Sequence, residues 1–134
     1  MGRLGRVRPR DRGAAAVEFA LVLPVLLMII FAIIDFGRML NAQITVTEAA
    51  REGARATSLY DQYEGEARVA EIGAGIGGID VVSVDDCGPD PGPGDNAVMN
   101  VQYDFHFITP LGVIIGAVTG GQPLHGQGVM PCLP

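Results

Sequence analysis

The longest apolar block of the chain runs from Ala14 to Ile34 and contains one ionisable side chain, Glu18. At ~1.5 Å rise per residue this block would form ~31 Å of helix, which matches the ~30 Å hydrocarbon core of a bilayer. It is longer than the apolar core of an ordinary secretory signal, and no good small-x-small cleavage site follows it. The pattern therefore predicts a transmembrane helix over 14–34.

The helical pattern continues beyond this block. Phe36, Leu40 and Ile44 recur at four-residue spacing, and residues 39–58 contain no proline and one glycine. We therefore expect an exported extension of the same helix over 35–58. The extension carries a surface of small residues that lets another backbone approach closely: Ala49, Ala50, Gly53, Ala54 and Ala56. Packing against the head of the same chain is the favoured interpretation, and contact with another subunit is compatible with it.

Residues 59–134 predict a small head of mixed structure. The segment 97–108 alternates apolar and polar residues, which is typical of a half-buried strand. The other predicted elements are a turn at 59–65, a short helix at 66–72, a strand at 79–84, a loop at 85–96, a short helix or loop at 109–121 and an edge strand at 124–132 limited by Pro131. The fold class is α+β and membrane-anchored: a long N-terminal transmembrane helix extends into a head with a few antiparallel strands.

Charge sets the expected orientation. All nine basic residues are arginines, and five of them precede Gly13, whereas the chain from Met39 onward holds 12 acidic residues and three arginines, a net charge of −9. This asymmetry follows the positive-inside rule, so residues 1–13 are predicted to be a cytoplasmic leader and the head to be exported. An acidic exported part argues against nucleic acid as a partner.

The two cysteines, Cys87 and Cys132, both fall on the exported side. An even pair in an oxidising compartment favours a disulfide, with two free thiols as the alternative.

No catalytic arrangement is recognisable. The glycines of 73–78 match a dinucleotide fingerprint by letter, but they follow a helix rather than a strand. Four acidic residues of the 85–96 loop raise the question of calcium, yet the order of an EF-hand loop is missing, so a solvated turn is favoured: Asp85, Asp86, Asp90 and Asp95. We expect no enzyme activity, no cofactor and no metal site.

Two residues of the apolar block are unusual. Glu18 places a carboxylate inside it, at a cost of at least ~2.5 kcal/mol on insertion scales. If the chain were cut between Gly13 and Ala14, Glu18 would lie one helical turn from the new ammonium group. In an assembly, Glu18 could instead neutralise the amine of a neighbouring subunit. The alternative is that Glu18 is a tolerated glutamate at the membrane interface without a charged partner. Pro24 predicts a kink or local unwinding, either as a flexible point or as a tolerated residue.

These features form a recognisable whole. The segment GAAAVEF is preceded by five arginines and followed by the apolar block and AAREGAR. It resembles the processing site of type IV prepilins. Its Glu18-Phe19 pair resembles the variant of that site used by Tad (Flp) pilus systems. Residues 12–56 closely resemble TadE-like pilus assembly proteins. The resemblance implies cleavage by a prepilin peptidase after Gly13, which leaves Glu18 as the fifth residue of the mature chain. Glu18 and Pro24 are the candidate assembly residues of this segment.

The implied function is that of a minor pilin or pseudopilin in a Tad pilus or related secretion fibre. Its implied partners are the prepilin peptidase, other pilins, inner-membrane assembly proteins and the lipid bilayer. The implied location is the bacterial inner membrane, with a single span and a cytoplasmic N-terminus. The alternative is an unprocessed, signal-anchored envelope protein whose head binds another envelope protein.

Overall fold

One long helix determines the architecture. The computed structural model describes residues 10–133, without the side chains of residues 10–12 and 119, so most of the predicted leader lies outside the described residues. Helix α1 spans Arg10–Leu59, 50 residues in all. Its most apolar 18-residue window has a mean hydropathy of 2.9 and is not buried by the rest of the protein. Within 10–133 this is the one helix long and apolar enough to cross a membrane.

The second half of α1 carries a small head. The elements that follow it are α2 (Gln62–Gly73), a short 3-10 helix (Ala74–Ile76), β1 (Asp80–Asp85), β2 (Asn96–Phe105), α3 (Pro110–Thr119) and β3 (Gln122–Pro131). The three strands form one antiparallel sheet in the order β1-β2-β3. The predicted class, an α+β membrane-anchored layout with a long N-terminal helix and antiparallel strands, is confirmed.

The sheet packs on α1 through the apolar face of β2. Met99, Val101 and Phe105 are buried, whereas Asp104 is exposed, as the alternation of 97–108 predicts. Met99 and Val101 join residues of α1 and α2 in the core cluster, whose members are Val46, Ala49, Ala50, Ala54, Val69, Met99 and Val101. The core therefore lies between the second half of α1 and the sheet.

Helix α2 begins earlier than the sequence indicates. The turn predicted over 59–65 is wrong beyond Asp61, whose side chain caps the helix by accepting a hydrogen bond from the Glu64 amide at 2.9 Å. Gly65, the predicted end of that turn, lies inside α2. A Cβ at Gly65 would collide with Thr57 Oγ1 and lie 2.9 Å from the Gly53 carbonyl oxygen. The glycine is there because two helix backbones meet, not because the chain turns.

Strand β3 is a full ten-residue strand, longer than the edge strand predicted over 124–132. It pairs with β2 from Phe105↔Gln122 to Asn96↔Pro131. Two glycines let it lie against α1. A Cβ at Gly126 would come within 2.7 Å of the Val46 carbonyl oxygen, and one at Gly128 would collide with the Ala50 carbonyl oxygen. Pro131 falls on the last residue of the strand, where a missing N–H costs little.

The head has two distinct ends. At the far end, Cys87 in the β1–β2 loop bonds to Cys132 after β3, with an S–S distance of 2.03 Å. The same loop is fixed by its own aspartates: Asp95 accepts from the Gly92 amide at 2.7 Å, and Asp86 accepts from the Gly88 amide at 3.3 Å. At the opposite end, Phe105 of β2 lies beside Arg38 of α1, and α3 connects β2 to β3.

Candidate functional site

The residues predicted to form the processing site lie in the first turns of α1. Gly13, Ala14, Glu18 and Phe19 are all exposed. A Cβ added at Gly13 would meet nothing within 4 Å, and the side chain of Phe19 is 63% exposed. This stretch of helix lies well before the part of α1 that contacts the head. Its side chains are therefore accessible to another molecule on every face.

Glu18 is a charged group on this apolar surface. Among the side chains that the structure describes, it forms no ion pair. A carboxylate in the apolar part of a membrane is stabilised by a positive partner, and for Glu18 such a partner has to come from the chain's own N-terminus or from another molecule. The structure leaves that predicted role open.

Helix α1 continues through Pro24 as one helix. The local unwinding that the sequence allowed at this position is therefore not observed. Proline has no N–H to donate to the carbonyl group one turn earlier in the helix. Pro24 is exposed, so this carbonyl group lies on a face of the helix that the head does not cover.

The small residues in the second half of α1 face the head. Ala49, Ala50, Gly53 and Ala54 are all buried. A Cβ at Gly53 would lie 2.7 Å from Val69 of α2 and 3.2 Å from Met99 of β2. The favoured interpretation, packing against the head of the same chain, agrees with this arrangement. Since these four residues are covered, a neighbouring subunit would have to contact other faces of α1.

A second cluster lies where the apolar block ends. Asp35 is only 4% exposed, although it directly follows the exposed apolar block of α1. Its carboxylate accepts a short hydrogen bond from the Thr109 hydroxyl and a second one, 3.4 Å long, from the Ile108 amide. A Cβ at Gly112 would collide with the same carboxylate. Asp35 is thus held by the start of α3, 74 residues further along the chain.

Thr109 connects Asp35 to α3. Its hydroxyl oxygen also accepts a hydrogen bond from the Gly112 amide at 3.1 Å, so Thr109 is the N-cap of α3. Pro110 follows in the first turn, where its missing N–H costs nothing. We call this group of Asp35, Thr109 and Gly112 the α1–α3 junction.

Arg38 completes the junction on its outer side. Its guanidinium lies 3.9 Å from the Asp35 carboxylate, which is the i,i+3 pair that the spacing predicts. The same group donates to the His106 carbonyl oxygen at 3.4 Å and lies 5.4 Å from the centre of the Phe105 ring. One arginine therefore contacts both the end of β2 and the carboxylate that holds α3.

From the sequence, the i,i+3 spacing of Asp35 and Arg38 predicts a surface pair at the outer boundary of the apolar block, but it assigns no role to Thr109. A Thr-Pro pair directly before an apolar run is a helix N-terminus signal, and it would have predicted α3 as a helix. No local signal could have paired Thr109 with Asp35, because the contact depends on how the sheet lies on α1.

Two acidic side chains of the β1–β2 loop have local hydrogen-bond partners. Within residues 10–133 there is no group of three or more histidine, cysteine, aspartate or glutamate side chains placed to hold a metal ion. Asp86 and Asp95 of the acidic loop instead accept hydrogen bonds from nearby backbone amides. What the molecule offers is an exposed apolar helix, a covered small-residue surface and the α1–α3 junction, all suited to anchoring and packing.

Comparison with known proteins identifies the helix. The family model described as "TadE-like protein" matches residues 13–55, from the predicted cleavage position almost to the end of the small-residue surface. Searches of curated proteins and of solved structures gave no match. The match covers most of α1 and none of the sheet. The resemblance to TadE-like proteins is thereby confirmed over residues 13–55 of α1.

Proposed function

We propose that this protein is a minor pilin or pseudopilin that takes part in assembling a Tad (Flp) type IV pilus or a related secretion fibre. The observation that carries the proposal is the family match, which begins at Gly13, the residue after which a prepilin peptidase would cut. The exposed, apolar first half of α1 supports it, because such a helix can be held in a bilayer first and packed against other helices later.

The proposed maturation step is hydrolysis of the Gly13–Ala14 peptide bond by the peptidase. It would remove the basic leader 1–13 and create an ammonium group on Ala14. Glu18 would then lie one helical turn from a positive charge, its own or that of a neighbouring subunit. In this proposal the protein sits in the bacterial inner membrane with its N-terminus in the cytoplasm, and it contacts other pilins and inner-membrane assembly proteins through α1.

We also infer that the chain is not an enzyme, because its polar contacts hold elements of the fold together rather than converging on an open site. The competing function is that of an unprocessed, signal-anchored envelope protein. Both functions use α1 as an anchor, and they differ in whether Gly13 remains in the mature chain and whether Glu18 matters.

The N-terminal sequence of the membrane-extracted protein distinguishes the two. In cells with an active prepilin peptidase we expect the mature chain to begin at Ala14, and we expect Gly13→Leu to block the cut. Gly37→Leu is the matched control, because a Cβ at either glycine meets nothing within 4 Å; it should be processed normally. A mature wild-type chain that begins at Met1 or Gly2 would contradict the proposal and favour the signal anchor.

A further inference from the structure

Helix α3 lies at the end of the head that faces the apolar block of α1. Strand β2 ends at Phe105 beside Arg38, and β3 begins at Gln122, which pairs with Phe105. Between them, α3 starts at Thr109 against Asp35. The disulfide marks the other end of the sheet. The β2–β3 connection is thus placed where α1 would emerge from a bilayer.

The connection is unusually apolar for an exposed segment. No ionisable side chain occurs from Phe107 to Leu124. Within α3, four large apolar side chains are exposed by 45–82% of their surface: Val113, Ile114, Ile115 and Val118. The side that carries Gly112 and Gly116 instead packs on the ring of Phe107. A contiguous apolar patch of this kind on a small domain marks an interaction surface.

This patch is continuous with the apolar surface of α1. A groove of about 620 Å³ separates the two helices, and it is lined on one side by Ile29, Ile33 and Phe36 and on the other by Leu111 and Ile115. Along α1 the groove extends from Met39 to Ile29. The part that lies within the apolar block reaches from Asp35 to Ile29, six residues deeper, which is ~9 Å along a helix. An interfacial helix lies ~5–10 Å into the boundary between headgroups and acyl chains, so the depths agree.

We propose that α3 is a second membrane contact, a short helix embedded in the outer part of the exported leaflet, with lipid acyl chains in the groove between α3 and α1. Lipid is the occupant favoured by the chemistry. Protein interfaces combine an apolar centre with a polar rim, whereas this surface has no charge on its α3 side, and its one carboxylate, Asp35, is already bound by Thr109 and Arg38. The proposal rests on α1 being a membrane anchor.

Embedding α3 would fix the head on the membrane. A single helix leaves a head free to rotate about the helix axis and to tilt. A second contact beside the first restricts both motions, and the α1–α3 junction transmits the restriction to the sheet. The head would then present one defined side to its neighbours in the membrane plane.

Tryptophan quenching tests this placement, because the chain contains no tryptophan. The full-length protein is reconstituted in phosphatidylcholine vesicles with single substitutions: Val118→Trp on α3, Leu27→Trp in the apolar block and Val82→Trp on β1. Val118 and Val82 are matched as exposed valines, at 82% and 62%. We expect lipids brominated near the headgroup end of the acyl chain to quench Val118→Trp severalfold more than Val82→Trp, and aqueous iodide to show the reverse order.

The other outcomes separate the possible errors. Equal quenching of Val118→Trp and Val82→Trp by iodide, with none by brominated lipid, would overturn the proposal while Leu27→Trp still reports the anchor. Protection of Val118→Trp from both quenchers, lost when the protein is diluted in lipid, would mean that a second copy covers α3, and it too would overturn the proposal. Failure of Leu27→Trp to be quenched by lipid brominated near the methyl end of the acyl chain would instead contradict the anchor itself.

Discussion

At the scale of single residues, Asp35 is the most constrained polar group described. It is buried at the boundary of an apolar helix, and burying a carboxylate is costly unless hydrogen bonds replace its water. The Thr109 hydroxyl, the Ile108 amide and the Arg38 guanidinium supply that replacement. Thr109 has a double function, because the same hydroxyl that donates to Asp35 accepts from the Gly112 amide and starts α3.

Thr109→Val tests this junction with little change of shape. It removes both hydrogen bonds of the hydroxyl and leaves the buried Asp35 carboxylate without one of its donors. The loss should destabilise the packing of α3 on α1 by ~1.5–3 kcal/mol. We expect the amides of α3 to exchange hydrogen ~10–100-fold faster in the detergent-solubilised protein, measured by mass spectrometry. Thr45→Val is the control, since its hydroxyl only donates to the Asn41 carbonyl oxygen within α1. Wild-type exchange in α3 of Thr109→Val would show that Asp35 does not hold the helix through Thr109.

A second residue-scale prediction concerns Glu18, and it depends on the proposed maturation. Glu18→Ala should still be cleaved after Gly13, because the cut lies five residues away, yet it should yield fewer fibres because the Ala14 amine loses its carboxylate partner. Fibre yield by electron microscopy is the measurement. Glu48→Ala, an exposed glutamate further along α1, should assemble normally. Wild-type fibre yield from Glu18→Ala would remove the charge-neutralisation argument.

At the scale of elements, glycine and alanine decide how closely the head approaches α1. Gly65, Gly126 and Gly128 lie in a helix or a strand, where glycine is entropically unfavourable. Each is placed where a Cβ would strike the backbone or a side chain of α1. The sequence shows the alanines and Gly53 of α1 as one small surface, but it does not show that the complementary glycines lie on α2 and β3.

Gly128→Ala should therefore destabilise the head. Its Cβ would collide with the Ala50 carbonyl oxygen, a backbone atom that cannot move without shifting α1. Overpacking of this kind costs ~1–3 kcal/mol, and each kcal/mol lowers the melting temperature by ~4–8 °C in a domain of this size. Near-UV circular dichroism of the tyrosines in detergent follows the transition. Gly75→Ala, whose Cβ meets nothing within 4 Å, should melt within a few degrees of wild type; equal melting of both variants would contradict the close approach.

How far the sequence predicts the fold depends on the range of the contact. The apolar block, the alternation in β2 and the small surface of α1 are local patterns, and each one correctly predicted an element or a face. The start of α2 was placed too late because Gly65 reads locally as a turn residue. The α1–α3 junction was missed because it joins residues 74 positions apart, and neither Asp35 nor Thr109 carries a local sign of the other.

At the scale of the whole molecule, the head is fastened at both ends of a three-stranded sheet. The α1–α3 junction holds the membrane-proximal end, and the disulfide holds the far end by joining the β1–β2 loop to the end of β3 across 45 positions. A sheet of three strands on one helix has a small core, and small domains commonly depend on such cross-links. The protein is therefore expected to reach full stability only where the Cys87–Cys132 disulfide can form.

The double variant Cys87→Ser/Cys132→Ser measures the contribution of the far end. Opening a loop of this length costs ~4 kcal/mol in the chain-entropy model, so the variant should melt more than ~10 °C below wild type in detergent.

Reductant should lower the wild-type melting temperature toward that of the variant, and it should leave the variant unchanged. It should also slow the wild-type band on a denaturing gel. The hydrogen bond from the Gly92 amide to Asp95 involves neither cysteine, so we expect the loop to keep its local turn and the loss to report the cross-link itself. If reductant changed neither the melting temperature nor the gel mobility of the wild-type chain, the two cysteines would be free thiols.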